Sequence, residues 1–209
     1  MRKFRASSLG EIMTDPKSKD ELLSVGAKTV VEKMAKEIVY GYEEIITSKY
    51  MDKGIRVEDE SIALFNEVFF TNHQKNTERK TNDWITGECD IYTPEKIIDI
   101  KSCWSLLTFP ATADSGKDRG YEWQLRAYLW LYDVPEADIA YCMVNTPSDL
   151  VGYEDESIHY VDHINPELRV TLVNYKRDKA LEDKIKVRVE AANDYLKLMI
   201  QKIADEHNF

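Results

Sequence analysis

The chain has no apolar run approaching the roughly 18 residues needed to cross a bilayer, and this excludes a membrane-spanning helix. Arg2, Lys3 and Arg5 are not followed by an apolar stretch. No signal peptide is therefore expected, and the expected location is cytoplasmic. The cysteines, Cys89, Cys103 and Cys142, are few, widely spaced and odd in number. With no C-x-x-C pair, neither a zinc knuckle nor an iron–sulfur cluster has its spacing, so the reading is three reduced thiols, one or two of them buried. There is no Gly-, Pro- or Ser-rich linker, no repeat and no low-complexity tract, and the expectation is one domain over residues 1–209. An excess of positive charge is also missing: 28 Lys and Arg stand against 38 Asp and Glu, a formal net charge of -10. That excludes a protein coating nucleic acid by charge alone. It leaves open chemistry on a phosphodiester, because a divalent-cation site needs clustered carboxylates and the cation itself supplies positive charge at the phosphate.

What is present is periodic. Ala27, Val31, Met34, Ile38, Tyr42 and Ile45 recur in steps of three or four and predict a helix from about Lys19 to Ser48, with Pro16 ahead of its start. Ile62, Phe65 and Phe69 predict a second, from about Ile55 to Phe70. Strands then replace helices. Ile85 to Tyr92 reads as one strand, Thr93 to Lys96 as a turn and Ile97 to Lys101 as a second strand, together an antiparallel hairpin. A loop runs to about Gly120, and Tyr121 to Tyr132 is apolar almost all round, as a buried helix would be. Ile139 to Val144 and Arg169 to Tyr175 read as further strands. A long helix follows from about Asp178, with Ile185, Val189, Ala192, Leu196, Met199 and Ile203 as its packing stripe. This order predicts an α/β fold: a mixed sheet flanked by helices, ending in a long C-terminal helix.

The candidate chemistry lies in the hairpin. Strand side chains alternate between faces, so Asp99 and Lys101 share one face while Ile98 and Ile100 take the other. Glu88 and Asp90 share a face on the neighbouring strand. Pairing the two strands brings two to three carboxylates and a lysine together. Crowded carboxylates raise one another's pKa, and a divalent cation removes that cost. Oxygen ligands suit Mg²⁺ or Mn²⁺. The lysine's pKa can fall beside an apolar strand, which would let it orient or deprotonate a water. The plain alternative is a surface salt bridge between Asp99 and Lys101. Lys101, Lys117, Arg119 and Arg126 provide basic residues nearby.

Asp90, eight further residues, and Asp99-Ile100-Lys101 resemble the PD-(D/E)XK motif of nucleases. Three more segments are similar to the phage lambda exonuclease and RecB-type branch: Arg5-Ala6-Ser7-Ser8, the Gly54-to-Glu58 spacing ahead of the core, and Gln124 with Tyr128 on the helix after it. They occur in family order over about residues 5 to 130, and the strand and long helix from Arg169 resemble the tail of phage-encoded members. The branch with an iron–sulfur cluster has flanking cysteines that this chain lacks.

The resemblance implies a restriction-endonuclease-like core and roles for particular residues. Asp90, Asp99, Glu58 and the main-chain carbonyl of Ile100 would hold one or two Mg²⁺ or Mn²⁺ ions, Lys101 would handle the attacking water, and Gln124 would complete the catalytic set. Glu58 has the adjacent acids Asp59 and Glu60 as alternatives and could equally be a solvated helix residue. Gln124 could be satisfied by backbone, and Tyr128 could be packing with a polar tip. Arg5, Ser8, Arg126 and Tyr128 are the candidates for holding DNA or its 5′-phosphate, with Arg2 an alternative to Arg5. Ser8 is first of all expected to be a helix N-cap in a capping box with Glu11. The implied activity is a metal-dependent deoxyribonuclease, a phage-type 5′ to 3′ exonuclease on double-stranded DNA ends used in recombination. A single-strand annealing protein as partner, a ring trimer and the cytoplasm of a bacterial host go with it. An endonuclease on the same core, or a silent DNA-binding module, are the alternatives.

Overall fold

The computed structural model describes residues 1–207. The chain opens with β1 (Phe4–Arg5), a 3₁₀ turn over Ala6–Ser8 and α1 (Gly10–Met13). Then come α2 (Val25–Tyr40), α3 (Lys49–Arg56) and α4 (Glu58–Phe69). The strands β2 (Lys80–Thr81), β3 (Ile85–Gly87), β4 (Ile91–Tyr92) and β5 (Lys96–Ser102) precede α5 (Arg119–Tyr132). β6 (Glu136–Cys142), α6 (Ser148–Val151), β7 (Val170–Lys176) and α7 (Lys179–His207) complete it.

Local chemistry sets several boundaries away from the sequence expectations. The first long helix starts only at Val25, where Ser24 Oγ accepts from the Ala27 amide at 3.1 Å, and stops at Tyr40 because Gly41 turns left-handed at φ 67°. Ala27, Val31 and Ala35 are its buried stripe, and Ile38, Tyr42 and Ile45 stay exposed. The expected second helix is two helices, broken at Val57, which is buried and no longer helical (φ -112°, ψ 15°). Three acids, Glu58, Asp59 and Glu60, fill the first turn of α4, where the helix dipole favours negative charge. Ser8 caps nothing: it ends the 3₁₀ turn, its hydroxyl donates back to the Arg5 carbonyl, and the residue ahead of α1 is Leu9.

The strands form two sheets. β1 runs parallel to β3, and β2 antiparallel to it. The larger sheet has the order β4-β5-β6-β7, with β5 and β6 parallel and both outer pairs antiparallel, a mixed sheet as expected. One face, through Ile98, Ile100, Ala140 and Cys142, packs under Ile62, Leu64 and Phe65 of α4. The other, through Ile97, Ala137 and Ile139, packs under Leu125 and Leu129 of α5 and the Ile185–Val189–Ala192–Leu196 stripe of α7. This is the restriction-endonuclease-like architecture. All three cysteines are free and buried, and no helix among the described residues is long and apolar enough to cross a membrane.

Candidate active site

The site forms where β4 parts from β5. Ile91 pairs with Ile98 and Tyr92 with Ile97, so the hairpin ends there. The expected single strand over Ile85–Tyr92 is split between the two sheets, and its middle residues have left the ladder. Asp90 takes over where pairing stops: its Oδ2 accepts the Ile100 amide at 2.6 Å. In a strand a residue's amide and carbonyl face the same edge, so the Ile100 carbonyl also faces this open edge.

Alternation along β5 turns Asp99 and Lys101 toward α5. Asp99 is 1% exposed, and its Oδ2 lies 2.6 Å from Lys101 Nζ. That contact misses hydrogen-bonding angles, so Oδ2 is buried beside a cation yet has no directed donor among the described residues. Gln124 ties the group together. Its Nε2 donates to Asp99 Oδ1 at 3.3 Å and to the Tyr128 hydroxyl at 3.0 Å, and its Oε1 accepts from Lys101 at 3.4 Å. Tyr128 passes the chain on to the Glu88 carbonyl at 2.9 Å. Its ring lies so close to Gly87 that a Cβ there would stand 2.7 Å from a ring carbon, which is why that position is glycine.

Burial, then the charge of Asp99, pushes the Asp90 carboxyl up to about 7, against the pull of Lys101 and the Ile100 amide. Burial alone would lower the Lys101 pKa. The Asp99 carboxylate outweighs it, with Asp90 and Tyr121 adding to the effect, and the net shift is upward. The downward shift expected from the sequence is thereby reversed, since the lysine's neighbour is a carboxylate rather than only an apolar strand.

A cavity of about 690 Å³ opens over this group, lined by Asp90, Asp99, Ile100, Lys101 and Gln124 and also by Glu58. Lys75 holds Glu58 at 2.5 Å. Tyr121 also lines the cavity, its ring centroid 4.7 Å from Lys101 Nζ. Sequence reasoning passed over Tyr121, although it stands one helical turn before Gln124 and so shares its face. It passed over Lys75 too, for which no local signal exists.

Other expected members lie elsewhere. Glu88 turns its carboxylate to Arg79 at 3.4 Å. Arg126 donates to the Lys176 carbonyl and to Glu122, over the ring of Tyr175; two positions from Gln124, it points to another side of α5. Lys117 is paired with Asp114. Arg5 and Ser8 do not line the cavity. Their segment nevertheless abuts the start of α5, because a Cβ on Gly10 would stand 2.8 Å from the Gly120 Cα. Tyr128 serves in packing with a polar tip.

The donor set can be tested against a hard cation. Among the described residues no three His, Cys, Asp or Glu side chains group as a ready-made cage. Magnesium does not need one: one or two carboxylates with waters and substrate oxygens suffice. Asp90, Asp99 and the Ile100 carbonyl are all oxygen donors, and two of them are brought together where the Asp90 carboxylate meets the Ile100 amide. The residues fit Mg²⁺ or Mn²⁺.

The Tyr128 hydroxyl has two buried partners, so Tyr128→Phe should cost about 1–2 kcal/mol, a fall in Tm of roughly 3–6 °C by calorimetry. An unchanged Tm would mean the Gln124–Tyr128–Glu88 chain contributes nothing.

Neither a family model nor a curated protein matches the chain. Solved structures do. The chain is similar to a phage related exonuclease from Haemophilus somnus 129PT, at 37% identity and a TM-score of 0.90, over 97% of this chain and 96% of that one. It also shares its fold with the alkaline exonuclease LHK-Exo from Laribacter hongkongensis, at 17% identity and a TM-score of 0.70, over 99% of this chain and 93% of that one. The same enzyme in complex with dAMP matches at 18% identity, again with a TM-score of 0.70 and the same coverage.

Proposed function

Since the chain belongs to the phage-type PD-(D/E)XK exonucleases, we propose that it degrades double-stranded DNA from its ends by metal-dependent hydrolysis, in the 5′ to 3′ direction. The observation that carries this is the convergence of Asp90, Asp99, Lys101 and the Ile100 edge in one cavity. A nuclease of this general kind needs a hard-cation site beside a fixed positive charge, and these residues supply both.

Asp90, Asp99 and the Ile100 carbonyl would hold Mg²⁺ or Mn²⁺, with Glu58, which lines the same cavity, as a further carboxylate. Such an ion supplies Lewis acidity at the phosphate and lowers the pKa of a bound water. Lys101, kept cationic at neutral pH by its upward shift, orients the water through Nζ and stabilises charge building on the phosphate. Gln124 holds Lys101 and Asp99 in register. Arg5 and Ser8, beside the start of α5, are the proposed contacts for the 5′-phosphate. A 3′ single strand left for an annealing protein, and a ring trimer, follow from the same family reading.

The test is an end-labelled linear duplex beside a covalently closed circle. We expect Mg²⁺ or Mn²⁺ to be required, with chelator lowering nucleotide release by at least about 100-fold. A 5′-phosphate end should be digested faster than a 5′-hydroxyl end, and the circle should survive. Cutting of the circle would make the protein an endonuclease. DNA binding without cleavage in either metal would make it a silent module.

A further inference from the structure

Gly54 stands inside α3, where glycine weakens a helix relative to alanine. Nothing within the protein asks for it. Its φ lies outside the left-handed range, and a Cβ built there would meet no atom within 4 Å. Gly87 and Gly116 differ, since their missing Cβ atoms would run into Tyr128 and Tyr141. The reason for Gly54 therefore lies outside the fold, and Gly54 lines the same cavity as Asp90, Asp99 and Lys101.

The wall around it is firm, and the residues that α3 itself gives to the cavity carry no charge, Glu58 following one turn on at the start of α4. Lys53, next in sequence, is fully buried and donates to three main-chain carbonyls: Cys103 at 2.6 Å, Trp104 at 3.0 Å and Val144 at 3.0 Å. Its ammonium is thus spent on the exits of β5 and β6 and offers no charge to the cavity. Tyr50 sets its ring edge-on to Trp104 at 5.1 Å, a second tie between α3 and the same segment. The helix is fastened and cannot easily withdraw from an incoming ligand. The cavity-lining neighbours of Gly54 on α3 are Tyr50, Met51 and Ile55, largely apolar side chains left 57%, 51% and 73% exposed, with Glu58 beyond them.

We propose that Gly54 is a substrate-contact position, where the bare backbone of α3 receives an uncharged part of the DNA strand, a deoxyribose or base, while the phosphate lies toward Lys101. This rests on the nuclease reading. A bare backbone lets a flat or bulky group approach more closely than any side chain would, and the apolar rim matches sugar and base rather than phosphate.

The test is Gly54→Ala, with Gly26→Ala as control, since Gly26 is a helical glycine outside the cavity lining whose Cβ would meet only Ser24 Oγ at 3.9 Å. Both variants should keep or slightly raise Tm. Only Gly54→Ala should weaken binding of a blunt duplex in chelator, by about ten-fold in fluorescence anisotropy, and raise KM about as much with kcat within about two-fold of wild type. Gly54→Leu should do more. Opposite signs for folding and binding would mark substrate contact, which a structural role cannot produce. If wild type cuts DNA and Gly54→Ala binds and cuts equally well, this inference is overturned and the nuclease reading stands. If wild type neither binds nor cuts DNA, both are overturned.

Discussion

Lys101→Met should lower cleavage of a linear duplex by about 10²–10⁴-fold, the range for losing one positioned proton donor or charge stabiliser, while the protein still folds. Methionine keeps the alkyl stem under Tyr121 but removes the cation that lies 2.6 Å from Asp99. Asp99, 1% exposed, is then a buried charge without its cation, a loss of up to about 3–5 kcal/mol. The variant should therefore melt lower than wild type without metal. Added Mg²⁺ should raise its Tm more than that of wild type, because the ion replaces the missing charge. Kinetics and thermal shifts with and without Mg²⁺ check both halves. Near-normal cleavage would remove Lys101 from the chemistry, and a Tm independent of Mg²⁺ would remove Asp99 from the metal site.

The heart of this arrangement was legible because it depends on strand periodicity. Once residues 97–101 are read as a strand, Asp99 and Lys101 must share a face and the isoleucines the other; β5 does this, with Ile98 and Ile100 under α4. The hairpin register, Ile91 opposite Ile98, follows from the short turn between them. The Gln124–Tyr128 spacing placed both on one side of α5, and both join the network around Asp99.

What was not legible depends on contacts distant in sequence. The strand over Ile85–Tyr92 alternates well but is cut at its centre, because the Ile100 amide is taken by the Asp90 carboxylate rather than by backbone. The helix expected from Ile55 breaks at Val57, whose side chain is drawn into the core under α4. Arg126 looked like a phosphate contact by proximity in sequence, yet two positions along a helix turn a side chain far around the axis, and it lies over Tyr175. Capping by Ser8 was read from a local pattern, but β1 pairs with β3 and leads straight into a 3₁₀ turn instead. Lys53 gave no hint at all, since a lysine on an amphipathic helix is ordinarily solvated; here three carbonyls replace water.

Asp90→Asn should lose activity and gain stability together. The side chain keeps an acceptor for the Ile100 amide but loses a cation ligand, so cleavage should fall by about 10²–10⁴-fold. The stability effect follows from proton linkage. In the metal-free protein Asp90 titrates near 7, raised above its ordinary value of 3.8, first by burial and then by Asp99. The folded state thus holds its proton where the unfolded chain has lost it. Stability is full below about pH 4, falls as pH rises through that window and levels off above 7. Asparagine never ionises and escapes this loss. At pH 8 without metal the variant should be the more stable by up to about 4 kcal/mol, a Tm gain of up to roughly 8–16 °C; at pH 4 the two should melt together. Mg²⁺ should narrow the gap at pH 8, because the wild-type carboxylate then has a cation to hold. A wild type that melts above the variant at pH 8 in chelator would show that Asp90 is not held under electrostatic strain, and with that the argument for a cation at this edge of β5 would lose its physical basis.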